Sequence, residues 1–383
     1  MNTPQPESYV WQRPSWPEWK FDVQQVASTL TEARLQQGRV IGKAQAIGVA
    51  DAGLTEVINE IWVNEVMATA AIEGQKLDFD QVRSSVMRML GIAGAGNSSR
   101  HVDGLVAVMH DATTNFNVPL DADRLCRWQS ALFPGGTSGI ARIEVGTFRT
   151  FAEPMQIVSG RPGKEIVHFQ APDSALVPVE MSRFLAWFNQ PCEGDGIVRA
   201  AIAHLWFETI HPFEDGNGRI GRAVMDMAIA QDAKSSMRLY SMSGQLEANR
   251  TAYYDALNAA QEGDLTITAW IAWFAKQFSD ACKKSETVVD RALEKARYWA
   301  AHAAHPFNER QRKTLQKLLD AGSGGFIGGL NAEKYCKITG ASKATATRDL
   351  TDLLQKHALF TDGVGKATRY YIDLAWCAAQ RSA

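Results

Sequence analysis

Apolar residues recur at helical spacing from Phe21 to about Leu90, as in Val23, Val26 and Leu30 and again in Ile58, Ile61, Trp62 and Val66. Ahead of them, residues 5–20 carry Trp11, Pro14, Trp16, Pro17 and Trp19, and the prolines bar regular helix. The tryptophans are expected to clamp this segment onto a helical body. GIAGAGNSS (91–99) breaks the helical pattern and reads as a flexible loop. After a further helical tract comes TFRTFAEPMQIVSGRPGKEIVHFQAP (147–172), which alternates poorly for a helix and has turn chemistry at its central RPGK. It predicts a β-hairpin. Helical periodicity then resumes to about Tyr298.

The C-terminal pattern differs. RQRKTLQKLLDAG reads as a helix closed by Gly322, AEKYCKITG and ASKATATRDLTDLLQKH as two helices around a glycine turn, and LFTDGVGKATRYYI as a hairpin turning at GVGK. That order resembles a winged helix-turn-helix. Between Pro306 and Asp373 there are 11 Lys and Arg against 7 Asp and Glu, a net of +4. This modest bias is compatible with DNA binding or with a protein-docking role.

The chain has 383 residues, 45% hydrophobic and 21% charged, with a formal net charge of −2. That length predicts two or three domains, and the balance is that of a globular chain without an overall basic signature. The five cysteines are scattered without a CxxC pair, which argues against a disulfide framework and a structural zinc site. No leader-like start and no long apolar run stands in the sequence, so the expected setting is the cytoplasm, without a membrane.

The densest chemistry lies in HPFEDGNGRIGR, residues 211–222. Its GNGRIG matches the dinucleotide-binding fingerprint, but the preceding IVRAAIAHLWFETI (197–210) has helical spacing and is too long for the buried strand that fingerprint needs. No Lys-Ser or Lys-Thr closes the glycines as in a Walker loop. Read as helix, loop, helix, the stretch makes better sense. Pro212 stops the first helix, and Gly216 and Gly218 permit positive φ and close ligand approach. The free N–H groups of the second helix form an anion hole. Arg219 and Arg222 share a face at that end, Asp215 offers a hard oxygen to Mg²⁺, and His211 has a pKa suited to proton transfer. These are the parts of a phosphoryl-type transfer site. Glu214 reads as a solvated acid rather than a second metal ligand, and His204 stands without a third ligand nearby.

The stretch matches HPFx[DE]GNGRxxR, and on it the chain resembles the Fic (filamentation induced by cAMP) family. GTFR at 146–149 and the hairpin after it resemble the family's target-docking flap, and AYYDALNAAQEGD (252–264) resembles the segment holding the adenosine end of a nucleotide. The Trp/Pro-rich start and the tail resemble a bacterial three-part subgroup. The resemblance implies a mainly α protein: an N-terminal segment over 1–95, a Fic catalytic core with a β-hairpin flap over 96–298, and a winged helix over 306–383. It implies a protein adenylyltransferase, moving AMP from ATP to a Ser, Thr or Tyr hydroxyl of a target protein or of itself and releasing pyrophosphate. His211 would be the base and Asp215 the Mg²⁺ ligand. The backbone from Glu214 to Gly218 would cradle the α phosphate, with Asn217 orienting it. Arg219 would face the leaving pyrophosphate and Arg222 the γ phosphate. Tyr253 and Gln261 would contact adenosine, and Met155, Gln156, Ile157 and Val158 would pair with an extended target segment.

Residues 69–74, TAAIEG, fit the family's inhibitory pattern [ST]xxxE[GN] through Thr69, Glu73 and Gly74. Glu73 would pair with Arg222 and displace the γ phosphate. The same glutamate leaves open an AMP-removing or dual-function enzyme. Other open readings are a different transferred group, such as UMP or phosphocholine, and a DNA-binding regulator using the core as a sensor. A homodimer through the helical core is a further expectation.

Overall fold

The computed structural model describes residues 9–47, 52–161, 164–321, 326 and 328–379. The chain is mainly helical, with small antiparallel hairpins. Helices α1 (Val23–Ile47), α2 (Ala52–Ile72) and α3 (Phe79–Met89) fill the N-terminal tract, and α4 (Arg100–Thr114) and α5 (Ala122–Leu132) follow. Two short strands, β1 (Thr137–Ser138) and β2 (Ala141–Arg142), pair where the residue pattern gave no sign of strand. The expected hairpin is present as β3 (Gln156–Arg161) and β4 (Lys164–Gln170), although Pro162 and Gly163 of its turn lie outside the described residues. Helices α6 (Val177–Phe188), α7 (Gly196–Ile210), α8 (Asn217–Ala233), α9 (Met242–Ala248), α10 (Arg250–Glu262) and α11 (Thr268–Ala301) complete the middle of the chain. The tail runs α12 (Glu309–Asp320), α13 (Ala332–Thr339), α14 (Lys343–Gln355), β5 (Leu359–Asp362), β6 (Arg369–Ile372) and α15 (Leu374–Ala379). Gly322, expected to close α12, lies outside the described residues.

The chain divides into two compact units, Met1–Ile41 with Ile58–Ser285, and Gly42–Val57 with Glu286–Ala383. The first is organised around α7 and α8, which pack along each other, with α8 also against α4 and α5. Almost every side of α7 is buried, which explains why its sequence is apolar all round rather than striped. Asp195 starts that helix by accepting the Ile197 N–H at 2.8 Å, satisfying an otherwise orphaned donor.

The Trp/Pro segment clamps as expected, and it does so in two places. Trp16 stacks edge-on against Trp206, 6.0 Å between ring centres, and donates to Glu180 at 2.7 Å. Trp11 donates to the Gln170 carbonyl at 2.8 Å, at the end of β4, while Tyr9 packs on Phe169. The β3–β4 hairpin is thereby anchored at its base.

In the second unit, Leu315, Leu318, Leu330, Tyr335, Leu350, Leu353 and Leu359 form a core of their own. Tyr335 and Arg310 both bond to Asp349, and Leu330 bridges to Tyr370 beside β6.

Candidate functional site

α7 ends because His211 adopts the left-handed conformation, φ 52° and ψ 59°, while its N–H still reaches the Phe207 carbonyl at 3.0 Å. Left-handed backbone strains a residue with a Cβ, so something must hold it there. Arg149 does. Its Nε donates to the His211 carbonyl at 2.8 Å and its Nη2 to the carbonyls of Ile210, at 3.3 Å, and Pro172. The Arg149 N–H donates to the Pro212 carbonyl at 2.9 Å. Burial pulls this guanidinium down to about 10, against the opposing charge of Asp173. Its role is to satisfy carbonyls. Arg149→Met leaves three buried carbonyls without their donor and is expected to cost at least about 3 kcal/mol of stability, read by chemical denaturation. A loss under about 1 kcal/mol would show that the loop holds itself.

The loop from Pro212 to Gly216 is braced from inside. The Asn217 side chain accepts the Phe213 N–H at 2.9 Å and donates to the Phe213 carbonyl at 2.8 Å. Both ends of its amide are thus tied to the loop, and its backbone N–H lies in the first turn of α8. α8 then starts from Gly216 at φ 93°, a conformation that favours glycine, so its first N–H groups open toward the loop. Glu214 takes the Glu144 N–H at 2.8 Å, which ties the loop to the segment leading into the flap.

Arg222 is buried to 1% exposure, with its Nε and Nη2 groups partnered. Its Nε donates to Thr69 Oγ1 at 2.7 Å and its Nη2 to the Thr69 carbonyl at 3.1 Å and to Glu73 Oε1 at 2.7 Å. Burial opposes its charge, but the Glu73 carboxylate more than offsets this and holds the guanidinium above its usual value. Glu73 also leans on the start of α8, where a Cβ at Gly218 would overlap its Oε1. Gly74, at φ 73°, turns the chain away directly afterwards. All three residues of the TAAIEG pattern therefore act at one place.

Arg219 turns the other way, toward Asp215 at 3.3 Å, Gln75 at 3.4 Å and the face of Phe133 at 4.8 Å. Asp215 is about a third exposed and also meets Ser138, from the unanticipated β1 strand, and the Gly216 N–H. Among the described residues no group of three or more His, Cys, Asp or Glu side chains gathers as a metal site. A lone, partly exposed carboxylate beside an anion hole suits a cation that arrives on phosphate oxygens and keeps its own waters.

These elements enclose a cavity of about 710 Å³. Its walls include Glu73, Glu208, His211, Gly218 and Arg222, Ile157 and His168 from the flap, and Arg250, Tyr253, Tyr254 and Asn258 from α10. A bulge in the hairpin pairs Ile157 with Phe169 and Val158 with Val167, leaving His168 as the extra residue beside the cavity. Burial, reinforced by Arg149, lowers His211 to about 4, so the imidazole is neutral at ordinary pH.

Not every expected residue reaches this cavity. Gln261 is fully buried and its amide bonds to Thr209 at 3.3 Å; it does not line the cavity, although Tyr253 and Leu257, on the same face of α10 at four-residue spacing, do. Asn258, on the same helix, stands in the wall instead. Tyr253 does reach the wall, with its hydroxyl held on His204 at 2.8 Å. Met155 packs against Tyr9, Phe169 and Ala171 at the base of the hairpin, while Gln156 bonds across it to Gln170. Several residues enter the site that sequence reasoning did not single out, among them Arg149, His168, Glu208 and Asn258. Arg149 stood inside the quoted GTFR. Glu208 is the one acid in the α7 sequence, and that isolation was its only signal.

Residues 119–229 match the Fic/DOC family, and residues 9–92 match a domain of unknown function (DUF4172). The chain is 25% identical over 226 residues to the protein adenylyltransferase Fic of Culex quinquefasciatus, covering 57% of this chain and 41% of that one. It is 29% identical over 99 residues to a probable protein adenylyltransferase of Aquifex aeolicus (26% and 28% covered), and 27% identical over 222 residues to protein adenylyltransferase fic-1 of Caenorhabditis elegans (55% and 39%). The chain thus spans less than half the length of these relatives. In fold it is similar to a Fic family protein from Desulfovibrio desulfuricans G20, with a TM-score of 0.53, 19% identity and 90% and 95% of the two chains covered. A Fic domain containing signaling protein from Bacteroides thetaiotaomicron gives a TM-score of 0.52 at 17% identity, with 68% and 97% covered. The 211–222 loop falls within the first matched segment and Glu73 within the second. Over residues 119–229 the chain is thus similar to the Fic/DOC family.

Proposed function

We propose that the chain is a protein adenylyltransferase that moves AMP from ATP to a hydroxyl of a protein target or of itself, and that Glu73 holds it inactive. The observation that carries this reading is the 2.7 Å pair between Glu73 and Arg222, which closes an anion site lying beside a neutral, deeply set histidine. The names of the relatives support adenylyl transfer.

The nucleotide's phosphates would lie at the start of α8, on backbone N–H groups from Glu214 to Gly218. Arg222, freed from Glu73, would hold the γ phosphate, and Arg219 the leaving pyrophosphate. His211, whose Nδ1 faces Glu208 at 3.9 Å, would take the proton of the target hydroxyl on Nε2. The hydroxyl oxygen then bonds to the α phosphorus as the bond to the pyrophosphate oxygen breaks. Asp215 would hold Mg²⁺, which would supply charge neutralisation to the phosphate oxygens. The target's extended segment would add to β3, to which β4 is the one strand paired among the described residues. The adenosine end would lie along α10, near Tyr253 and Tyr254.

Label transfer from α-³²P-ATP with Mg²⁺ tests this reading. Label on protein in the Glu73→Gly form, absent when His211 is also replaced, supports it; no label in any form, with ATP bound, overturns it in favour of another donor or of AMP removal. Removal is the second reading. It is favoured by the Glu73 carboxylate, about a third exposed, standing in the same cavity as His211.

The base must be neutral to act, and its value is depressed, so activity is present at high pH and lost only as pH falls through that depressed value. Transfer by the released enzyme is therefore expected to persist to about pH 5, with an acid limb near 4. A limb near 6.5 would mean that His211 is solvated in the working enzyme. The tail's helices and hairpin, with their local net of +4, would serve as a winged helix for DNA or protein docking. Cytoplasmic residence and dimerisation stay part of this reading; no helix among the described residues is long and apolar enough to cross a membrane.

A further inference from the structure

Two acids stand around one guanidinium. Glu73 pairs with Arg222 directly, and Glu208, on α7, feels the same charge from within the cavity wall. α8 makes room for both with glycine: a Cβ at Gly218 would overlap Glu73, and one at Gly221 would overlap Glu208. Glu208 is 4% exposed, and its Oε1 is buried without a hydrogen-bond partner among the described residues. It is a polar atom built into the cavity and satisfied by nothing yet there.

The groups that face it come from every neighbouring element. They are Arg222 from α8, Glu73 from the end of α2, His211 from the loop, Tyr253 from α10, and His204 one turn earlier on α7. Burial keeps both histidines neutral, His204 down at about 3, and holds the Tyr253 hydroxyl well above its usual value. On the cavity side that leaves Arg222 with Glu73 and Glu208; Asp226, which also feels the Arg222 charge, is paired with Arg238. A desolvated cation supports one anion beside it, and a second would stand uncompensated. With Glu73 on Arg222, Glu208 keeps its proton, in line with burial pushing it up to about 8.

We propose that Glu208 is the proton-balancing acid of the Arg222 site: it is protonated while an anion, Glu73 or a nucleotide phosphate, sits on Arg222, and ionised when Arg222 stands alone. The proposal rests on the reading of the cavity as a nucleotide site. Once Glu73 is withdrawn, Glu208 is left facing Arg222 from the cavity wall, with Asp226 engaged by Arg238, and the Glu208 proton goes to solvent. A triphosphate that then lands on Arg222 brings the second negative charge back, and Glu208 takes one proton from solvent. As a carboxylic acid it gives the bound phosphate an O–H donor in place of a repelling oxygen.

The sign follows from linkage. The acid's pKa is raised by nucleotide binding, so affinity is greatest at low pH, is lost as pH rises through the bound-state value, and then levels off. The experiment uses the full chain carrying Glu73→Gly, with Mg-ATP binding measured by calorimetry in two buffers of different ionisation heat. The expected result is uptake of close to one proton per nucleotide at pH 7.5, and affinity falling by up to about tenfold from pH 7 to 8. Both effects should vanish in Glu73→Gly/Glu208→Gln, whose amide keeps the shape and a donor without titrating. Binding without proton uptake, or with the same uptake in the double variant, overturns the proposal and leaves the adenylyltransferase reading intact. Absence of ATP binding at every pH overturns both. The wild-type chain supplies an independent check, since the infrared absorption of protonated carboxyls at neutral pH must lose a component in Glu208→Gln; an unchanged absorption would place the proton elsewhere and overturn the proposal.

Discussion

Replacing Glu73 with glycine is expected to raise AMP transfer about ten- to a hundredfold. A hydrogen bond to a charged partner is worth about 1.5–3 kcal/mol, and each 1.4 kcal/mol is a factor of ten in occupancy. Glu73 makes one such bond to Arg222 while covering Gly218, so ATP must displace it from the anion hole and from the arginine together. The substitution should release the site without loosening it. Arg222 keeps both Thr69 contacts, at 2.7 and 3.1 Å, and so stays aimed at the cavity after its carboxylate is gone. Glu73→Gln separates the two components: it keeps the bulk over Gly218 but discards the charge, and should fall between wild type and glycine. Equal rates for wild type and Glu73→Gly, with target and ATP saturating, would sink autoinhibition by this residue.

The second large effect runs the other way. Adding His211→Ala to the released form is expected to cut transfer about a hundred- to ten-thousandfold, the contribution typical of a positioned general base. Alanine suffers much the same left-handed strain at φ 52° as histidine does, and the Arg149 bonds reach the residue 211 carbonyl rather than its side chain. The loop should therefore survive. A thermal midpoint close to that of the parent, together with unchanged ATP affinity, would assign the loss to chemistry. A loss of less than tenfold would mean that the target hydroxyl finds another base.

Much of the site was written in short-range letters. Gly216, Gly218, Arg219 and Arg222 work within one loop and one helix end, where backbone geometry follows from neighbours, and the helical reading of 197–210 was enough to reject the dinucleotide fold. The contacts that complete the site join distant segments. Arg149 lies 62 residues from the carbonyl it holds, and Thr69 lies 153 residues from Arg222. Only the TAAIEG pattern gave the second of these away. Ser138 belongs to a two-residue strand, too short to leave a period. Gln261 shows the opposite failure: four-residue spacing from Leu257 marks a helix face, and nothing in the letters says whether that face meets a ligand or the core. Glu208 was hidden because an acid within an apolar helix looks like a boundary residue until the helix is seen to be buried on nearly all sides.

Arg149 fastens the carbonyl of Pro172, just past the second strand of the flap, to the carbonyls of Ile210 and His211. Hairpin and histidine thus share a single brace, and a force on one is delivered to the other. A poorly fitting protein that settles on the hairpin with a twist would tilt the imidazole away from its line of attack, where a misplacement of about 1 Å can cost a hundredfold in rate. Discrimination among targets should then be exercised after docking, in turnover rather than in affinity. Such an enzyme would hold many proteins and modify few.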